Sequence, residues 1–427
     1  MKKHQTRNGL PAATWSLLLS LYVTQYLGLC FFLVSLVAIL RQHGESLERV
    51  SVIYLLGLVW AAKFIWSPLV DRISFGRFGH FKGWLLVMQG GMIATLLAIG
   101  TFDPVSDFPS VYLLCLLLSL LSATQDIAVD GLACHLFTQE NRGIANSVQV
   151  AGGLLGNLLG AGGVLMAYTY VGWSDAMLLL AIGTGLSFVQ LIGFKEPLRQ
   201  SSTMPLRAVF LRVWSLWRRP GGAYWLVMLL LYPVGVSLAY SLITPILVDV
   251  GWSLDRIGLI VNVVGALIGA PAAFFTGWLM NHFGRRKTMI WAAFLQVPGI
   301  LALALPVLGY LGNWTVLVAV GLFVLFYNPV VVVISTLMMD HVSAESPATD
   351  YASQYSLYML FSILSVTAGT ALAGRIGYLP ILILSALGGV LMALLSLRYR
   401  HQPHDPPTFE LEMMSAFSPN HALSRAE

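Results

Sequence analysis

An all-α fold of twelve transmembrane helices, arranged as two six-helix pseudo-repeats, is what this sequence predicts, and three observations predict it. Hydrophobic residues fill 57% of the 427 positions and charged ones only 10%, a balance that a water-soluble domain of this size would not tolerate. Setting aside every Asp, Glu, Lys and Arg leaves long charge-free runs at 8–40, 83–102, 108–125, 143–174, 176–194, 220–248, 257–284, 288–339, 351–374 and 376–397, with 50–70 broken only by Lys63. Most of these match one span of about 20 residues, but 288–339 would reach roughly 78 Å as a helix against a hydrocarbon core of about 30 Å. It must therefore fold back, at Gly309-Tyr310-Leu311-Gly312-Asn313. Third, the loop Asp71-Arg72 with Gly76-Arg77 returns as Gly277 through Asn281 to Gly284-Arg285-Arg286-Lys287, offset by 210 and 208 residues, close to half the chain. An even number of helices per half keeps the two copies parallel.

The chain divides into a tail (1–14), a six-helix bundle (15–194), a linker (195–220), a second bundle (221–397) and a second tail (398–427). The net charge of +5 is explained by where the cations fall. Of 24 Lys and Arg, Lys63 lies in a span, Arg41, Arg49, Arg256 and Arg375 lie on one face, and the other nineteen lie on the opposite face. That asymmetry places both termini in the cytoplasm and calls for no nucleic-acid partner. Cys30, Cys115 and Cys134 fall in or at the ends of apolar runs and number an odd three, so they read as buried small residues with no disulfide framework.

Taken in order, the first helix (about 15–40) carries Tyr22, Gln25 and Tyr26 on one face at i, i+3 and i+4, a stripe that suits either helix packing or a substrate cavity. The second run holds Lys63, about 12 Å of helix from Asp71. It is too deep for an ordinary interfacial residue, so it either snorkels or pairs with a buried acid. The third helix spans about 83–102. The fourth ends in Gln125-Asp126-Ile127-Ala128-Val129-Asp130, with two carboxylates one turn apart on one face. A carboxylate in hydrocarbon costs roughly 2.5–3.5 kcal/mol, so this couple is expected where water, protons or Lys63 reach it. The fifth helix carries Gly152, Gly156 and Gly160 at close-packing spacing. The linker, with five Arg and with Trp214 and Trp217 between Lys195 and Pro220, is expected to lie on the inner leaflet as a partly amphipathic helix.

The seventh helix (about 222–248) sets Tyr232 and Tyr240 on one face, with Pro233 and Pro245 able to kink it. The eighth contains Asn262, the ninth Gln296, the tenth Tyr327-Asn328-Pro329, and the eleventh Tyr351, Gln354, Tyr355 and Tyr358 in one stripe. Polar and aromatic residues, with no buried charge, are thus expected in the second half. Tyr22, Gln25, Tyr26, Tyr232, Tyr240, Asn328, Gln354 and Tyr355 are expected to line one cavity between the halves. The tail after 398, with Pro403, Pro406 and Pro407, reads as disordered.

The Gly277 to Lys287 loop resembles the loop signature of the major facilitator superfamily. Lys63-Phe64-Ile65-Trp66-Ser67-Pro68-Leu69-Val70-Asp71 and Gln125-Asp126-Ile127-Ala128-Val129-Asp130-Gly131 are similar to the helix-two and helix-four signatures of one branch of it. That branch holds AmpG-type muropeptide permeases, acetyl-coenzyme A transporters and a group of siderophore permeases. The compact loops look most like the permeases for rhizobactin, pyochelin and yersiniabactin. The fifth helix lacks the Gly-Pro pair of the superfamily's drug antiporters, which speaks against efflux. The resemblance implies a proton-coupled importer of a siderophore-type metal chelate in a bacterial inner membrane, with a muropeptide or another amphipathic metabolite as the alternative cargo, export as the alternative direction, and Asp71, Arg72, Gly76, Arg77, Gly277, Asn281, Gly284, Arg285 and Arg286 as its conformational loop residues.

Lys63, Asp126 and Asp130 are the candidate proton-coupling groups. Burial disfavours a charged carboxylate and a neighbouring lysine favours it, so substrate or conformation could move the balance. The sequence contains no GxxxxGK[ST] phosphate loop, no HExxH and no GxSxG, which argues against ATP drive and against an integral-membrane enzyme. A sensor built on a transporter scaffold remains open. A monomer embedded in lipid, without cofactor or metal site, is expected. The charge asymmetry predicts that a reporter active only outside the cytoplasm will be silent when fused after Glu427, and activity there would overturn the topology.

Overall fold

The computed structural model describes residues 11–43, 45, 52–53, 55–197, 217–218, 221–252, 257, 259–343 and 346–399. Most of both tails, nearly all of the linker and the side chains of Arg77 and Asn262 lie outside the described residues, and with them the amphipathic linker helix. What is described is helical, and ten helices are long and apolar enough to cross a membrane. They are α1 (Ala12–Leu40), α3 (Phe81–Ile99), α4 (Phe108–Leu136), a 52-residue helix Arg142–Gly193, α7 (Gly222–Asp249), α8 (Leu259–Phe283), α9 (Arg285–Val307), α10 (Asn313–Asp340), α11 (Pro347–Ile376) and α12 (Tyr378–Arg398). The Arg142–Gly193 helix is two crossings. Gly172, at φ 82°, breaks it into α5 (142–171) and α6 (173–193), a conformation that a side chain would make costly.

The second crossing, α2, differs from the single helix expected. It runs in pieces, Leu55–Gly57, Leu58–Ala62, Lys63–Ile65 and Ser67–Arg72, with tighter 3₁₀ turns at the first and third. Pro68 explains the last break, since its ring suits the first turn of a new helix and not the interior of an old one. Lys63 sits in the 3₁₀ turn at the break. Between α9 and α10 the chain turns back at Leu308 to Gly312, with Gly309 at φ 96°.

The bundle is inside-out by the standards of a soluble protein. Leu113, Leu186, Val189, Leu267 and Leu387 face outward, while Lys63, Asp126, Asp130, Asp340 and Asp350 are buried. Loop ends are fixed by local capping. Glu196, just beyond α6, accepts the backbone N–H of Phe81 (3.1 Å) and Lys82 (2.8 Å), the orphan donors of the α3 N-terminus. Lys82 Nζ in return donates to the carbonyls of Ile192 (2.9 Å) and Phe194 (2.6 Å) at the end of α6. In the opposite loop, N–H groups of Ser106 and Val105 and the Ser106 hydroxyl donate to Asp103 and hold its carboxyl below the usual carboxylate range.

The two halves meet firmly at the end that carries the basic loops. Asp71 of α2 caps α11, accepting the N–H of Thr349 (2.7 Å) and Ala348 (3.4 Å) and the Thr349 hydroxyl (2.7 Å). Arg142 of α5 donates to Met339 O (2.6 Å) and pairs with Asp340 (3.2 Å), which Arg285 also holds (3.1 Å), and Arg285 reaches the Gln139 carbonyl. Gly143 and Gly277 let α5 and α8 touch backbone to backbone, and Ser147 donates to Ala273 O (2.6 Å) beside them. The expectation of no buried charge in the second half is corrected here: Arg285, Asp340 and Asp350 are all buried. Asp340 is compensated by arginines of both halves, and Asp350 by Ser343 N (2.9 Å) and Oγ (2.6 Å) and Ser346 Oγ (3.3 Å). A Cβ on Gly277 would lie 2.5 Å from Ser147 Oγ and 2.8 Å from Gly143 O. Gly277→Ala should therefore cost about 1–3 kcal/mol and lower the melting temperature in detergent, whereas Gly374→Ala, whose Cβ would meet nothing within 4 Å, should leave it unchanged. Equal melting temperatures would show that this contact does not hold the halves.

Candidate functional site

The polar centre of the molecule is assembled by four helices of the first half and one of the second. From α4, Asp126 and Asp130 project one turn apart toward α1 and α2. Lys63 of α2 forms a buried ion pair with Asp126 Oδ2, and Gln25 Nε2 of α1 donates to Asp126 Oδ1 (2.8 Å). The aromatic rings around the ammonium complete its surroundings: Tyr355 of α11 lies with its centroid 4.3 Å from Nζ and Trp60 of α2 at 5.7 Å. A 3₁₀ turn at Lys63 sets it where Trp60, three residues earlier, shares its face.

Asp130 has a different environment. Its Oδ1 accepts the Tyr22 hydroxyl (3.1 Å) and Gln149 Nε2 of α5 (3.0 Å), while Oδ2, buried, accepts no hydrogen bond among the described residues. Gln149 Oε1 in turn accepts the hydroxyl of Tyr351 from α11 (3.3 Å). Thus of two carboxylates that look equivalent in the sequence, one is ion-paired with Lys63, while the other accepts its hydrogen bonds from neutral donors and feels Lys63 only from beyond contact distance. A polar scaffold lies behind them: Gln125 Nε2 donates to Leu21 O (2.9 Å), Gln89 Nε2 to Thr24 Oγ1 (2.9 Å), and Ser187 Oγ to Gln89 Oε1 (2.6 Å).

Of the expected cavity residues, Tyr22, Gln25, Tyr26 and Tyr355 come together here, and the Tyr26 and Tyr355 phenols face each other across the halves within electrostatic reach. Farther along, Tyr240 stacks on Tyr327 (5.7 Å between centroids), which stacks on Phe323 (5.7 Å). Tyr240 lies within electrostatic reach of Cys30 on α1, and 48% of it is exposed. Tyr355 and Tyr358 (6.0 Å) join the two aromatic groups.

Three expected cavity residues are not brought to this place. Tyr232 donates to Met289 O (3.2 Å), Gln354 binds Trp225 Nε1 (2.8 Å) and Met338 O (3.2 Å), and Asn328 donates to Val324 O (2.9 Å) and packs on Gly269. The first two tie helices within the second half, because a helix face shared with a cavity residue one turn away still points to a neighbouring helix. Among the loop residues, Asp71, Gly277 and Arg285 are buried between the halves, whereas Arg72, Gly76, Asn281, Gly284 and Arg286 are exposed. Gly76 and Gly284, aligned by the repeat, both have positive φ (59° and 83°). Asp71 and Asn281, also aligned, have different surroundings. Sequence reasoning missed Trp60, Gln149, Arg142 and Asp340. The signal for two of them was present, since Arg142, Asn146 and Gln149 form one stripe of α5 at i, i+4 and i+7.

A family model described as Major Facilitator Superfamily matches residues 12–364 and 234–419. The chain is 28% identical over 264 residues to the anhydromuropeptide permease of Escherichia coli (strain K12), a match covering 59% of this chain and 52% of that one. It is 27% identical over 269 residues to the putative transporter AmpG 4 of Rickettsia felis, covering 60% and 65%. The chain thus spans between 52% and 65% of the length of these curated relatives. In fold it is similar to the human organic anion transporter MFSD10 (TETRAN), with a TM-score of 0.72 at 15% identity over 90% of this chain and 100% of that one. It is similar also to the E. coli fucose:proton symporter FucP, with a TM-score of 0.70 at 11% identity over 91% and 99%. At such identities the likeness is one of fold.

The ion pair generates its own test. Removing one partner of a buried pair typically costs about 3–5 kcal/mol, and removing both much less. Lys63→Ala should sharply lower the amount of protein in the membrane, and Lys63→Ala with Asp126→Asn should restore it. Lys63→Ala with Asp130→Asn should not, and equal rescue by both Asn variants would mean that Lys63 is shared.

Proposed function

The chain belongs to the Major Facilitator Superfamily, and from that premise we propose that it is a secondary active, proton-coupled transporter importing an amphipathic sugar-peptide of the anhydromuropeptide class. The proposed setting is a bacterial inner membrane, with the basic end of the bundle and both termini in the cytoplasm, as the cation asymmetry argues.

The observation that carries the coupling is the unequal pairing of Asp126 and Asp130. Lys63 and Asp126 neutralise each other, so Asp130 decides the net charge of the centre. A proton gradient needs a titratable group reached in turn from each side. Asp130 sits where three helices of the first half meet α11 of the second, and it carries a free buried oxygen. In this reading the exposed face of Tyr240 lines a cleft between α1 and α7 through which protons enter, while the basic end is closed by Asp71, Arg142, Asp340 and the Gly143/Gly277 contact. Proton and substrate then leave when that end opens. Lys63 and Asp126 act as the fixed pair that lets a charged residue line a site at membrane depth.

The cargo is read from two supports. The curated relatives reported above are a muropeptide permease and an AmpG-type transporter, and the cleft presents aromatic faces with hydroxyl edges on both sides, Tyr26 and Tyr355 near the ion pair and Tyr327 and Tyr240 beyond it. Such surfaces pack against the apolar faces of pyranose rings and hydrogen-bond their rims. A siderophore-type chelate would also suit aromatic walls, but it rests on the helix-two and helix-four resemblance and the compact loops alone, so the sugar-peptide leads. Inward transport rests on the same resemblance.

Sealed vesicles with an imposed proton gradient, offered radiolabelled anhydromuropeptides and ferric siderophores side by side, should accumulate the former. Accumulation of the siderophores alone would reverse the choice of cargo. Asp130→Asn should bring the inside-to-outside ratio down to about one while sparing counterflow, which needs no net proton movement. Normal accumulation by Asp130→Asn would end the coupling role given to it.

A further inference from the structure

We infer that Gln149 is the positioning residue through which the protonation of Asp130 controls closure of the basic end, by way of Tyr351 on α11. This deepens the reading of Asp130 as the proton site and rests on it. The geometry is a three-member bridge: Asp130 Oδ1 accepts Gln149 Nε2 at 3.0 Å, and Gln149 Oε1 accepts the Tyr351 hydroxyl at 3.3 Å. All three residues are buried. The amide donates at Nε2 and accepts at Oε1, so it transmits a change at one end to the other.

What it reaches is α11 two residues beyond Thr349, whose N–H Asp71 caps from α2. The first half therefore holds the start of α11 by two sets of hydrogen bonds. The Asp71 grip is a charged cap, and the Gln149 grip depends on the state of Asp130. An ionised Asp130 accepts a charge-assisted hydrogen bond, which is shorter and about twice as strong as a neutral one. A proton taken up on the free Oδ2 leaves the Gln149 contact in place but neutral, and the bridge to Tyr351 weakens.

The surrounding charges leave Asp130 as the group that changes. From α1 it is faced by Tyr22 and Tyr26, from α2 by Lys63, and from α11 by Tyr351 and Tyr355. On α4 itself Asp126 and Cys134 lie one turn to either side, with Asp71, Arg142 and Asp350 beyond Cys134. The phenols and the thiol are neutral at physiological pH, Lys63 and Asp126 are paired, and Asp71 and Asp350 are capped by backbone and hydroxyl donors. Arg142 is paired with Asp340. Deprotonated Asp130 thus holds the basic end shut, and a proton arriving from the other side releases it, which gives the order of events a symporter needs.

Ser147 is a reporter of that opening, because it is buried against Ala273 O where the halves meet. With Cys30, Cys115 and Cys134 replaced by Ala, Ser147→Cys is labelled by a maleimide in inside-out vesicles, without substrate, as pH is lowered through the neutral range. With each rate divided by that of the same cysteine in the unfolded protein at the same pH, which removes the loss of thiolate, labelling with Gln149 intact should accelerate several-fold as pH falls. With Gln149→Leu it should be fast throughout and nearly independent of pH, and Tyr351→Phe, which removes one hydroxyl and keeps the ring, should behave alike. If both variants keep the full pH response while Asp130→Asn loses it, Gln149 is not the link and only this inference falls. If the pH response persists in Asp130→Asn, or is missing with every residue intact, the reading of Asp130 as the proton site falls and takes this inference with it.

Discussion

A lysine and an aspartate buried together in a lipid-embedded bundle are the constraint on which the remaining structure depends. Neither could sit at this depth alone, because the cost of an unpaired charge there rivals the stability of many domains. Satisfying the pair recruits Gln25 from α1, Trp60 and a 3₁₀ turn from α2 and the Tyr355 ring from α11, so the first and second halves are both shaped around it. It also leaves Asp130, one turn along, outside the contact ion pair. A carboxylate that is buried but not committed to a cation is the kind of group that can carry a proton.

The closure of the basic end follows a different physical logic. Its parts are helix-end chemistry: a carboxylate on the N–H groups of α11, arginines on the last carbonyls and the terminal carboxylate of α10, and two glycines that bring backbones into contact. Each is a local contact between helix ends, and in the proposed reading the set separates and reforms. Alternating access calls for such a seal, since a continuous hydrophobic seam of the same area would not reopen. The aromatic cleft on the other side of the ion pair has complementary properties, with broad faces and few charges. In the proposed reading, a substrate there displaces water from phenol rings without having to break an ion pair.

Much of the fold was legible along the chain because hydrocarbon imposes simple rules. Charge-free runs of one span length, a doubled run broken at Gly309 to Gly312 and a recurring Gly-Arg loop are local facts, and the helices follow them. Lys63 and the Asp126/Asp130 couple were legible for the same reason, as charges where charges are expensive. The discontinuity of α2 was half visible in Pro68. Arg142, Asp340 and Gln149 escaped because each lies near the edge of an apolar run, where a polar residue needs no special explanation until a partner from the other half is seen beside it.

What the sequence by itself determined is which residues lie in the membrane, which loops carry the cations and which three charges demand partners, because those depend on the medium and on spacing along one helix. Only the tertiary structure decided that Lys63 takes Asp126 and leaves Asp130 to Tyr22 and Gln149, and that Tyr232 and Gln354 bind within their own half while Tyr26 and Tyr355 meet across the cleft. Two residues one turn apart share a face, but which neighbour that face meets is set by how five helices cross, and no periodicity in a single chain segment contains that crossing.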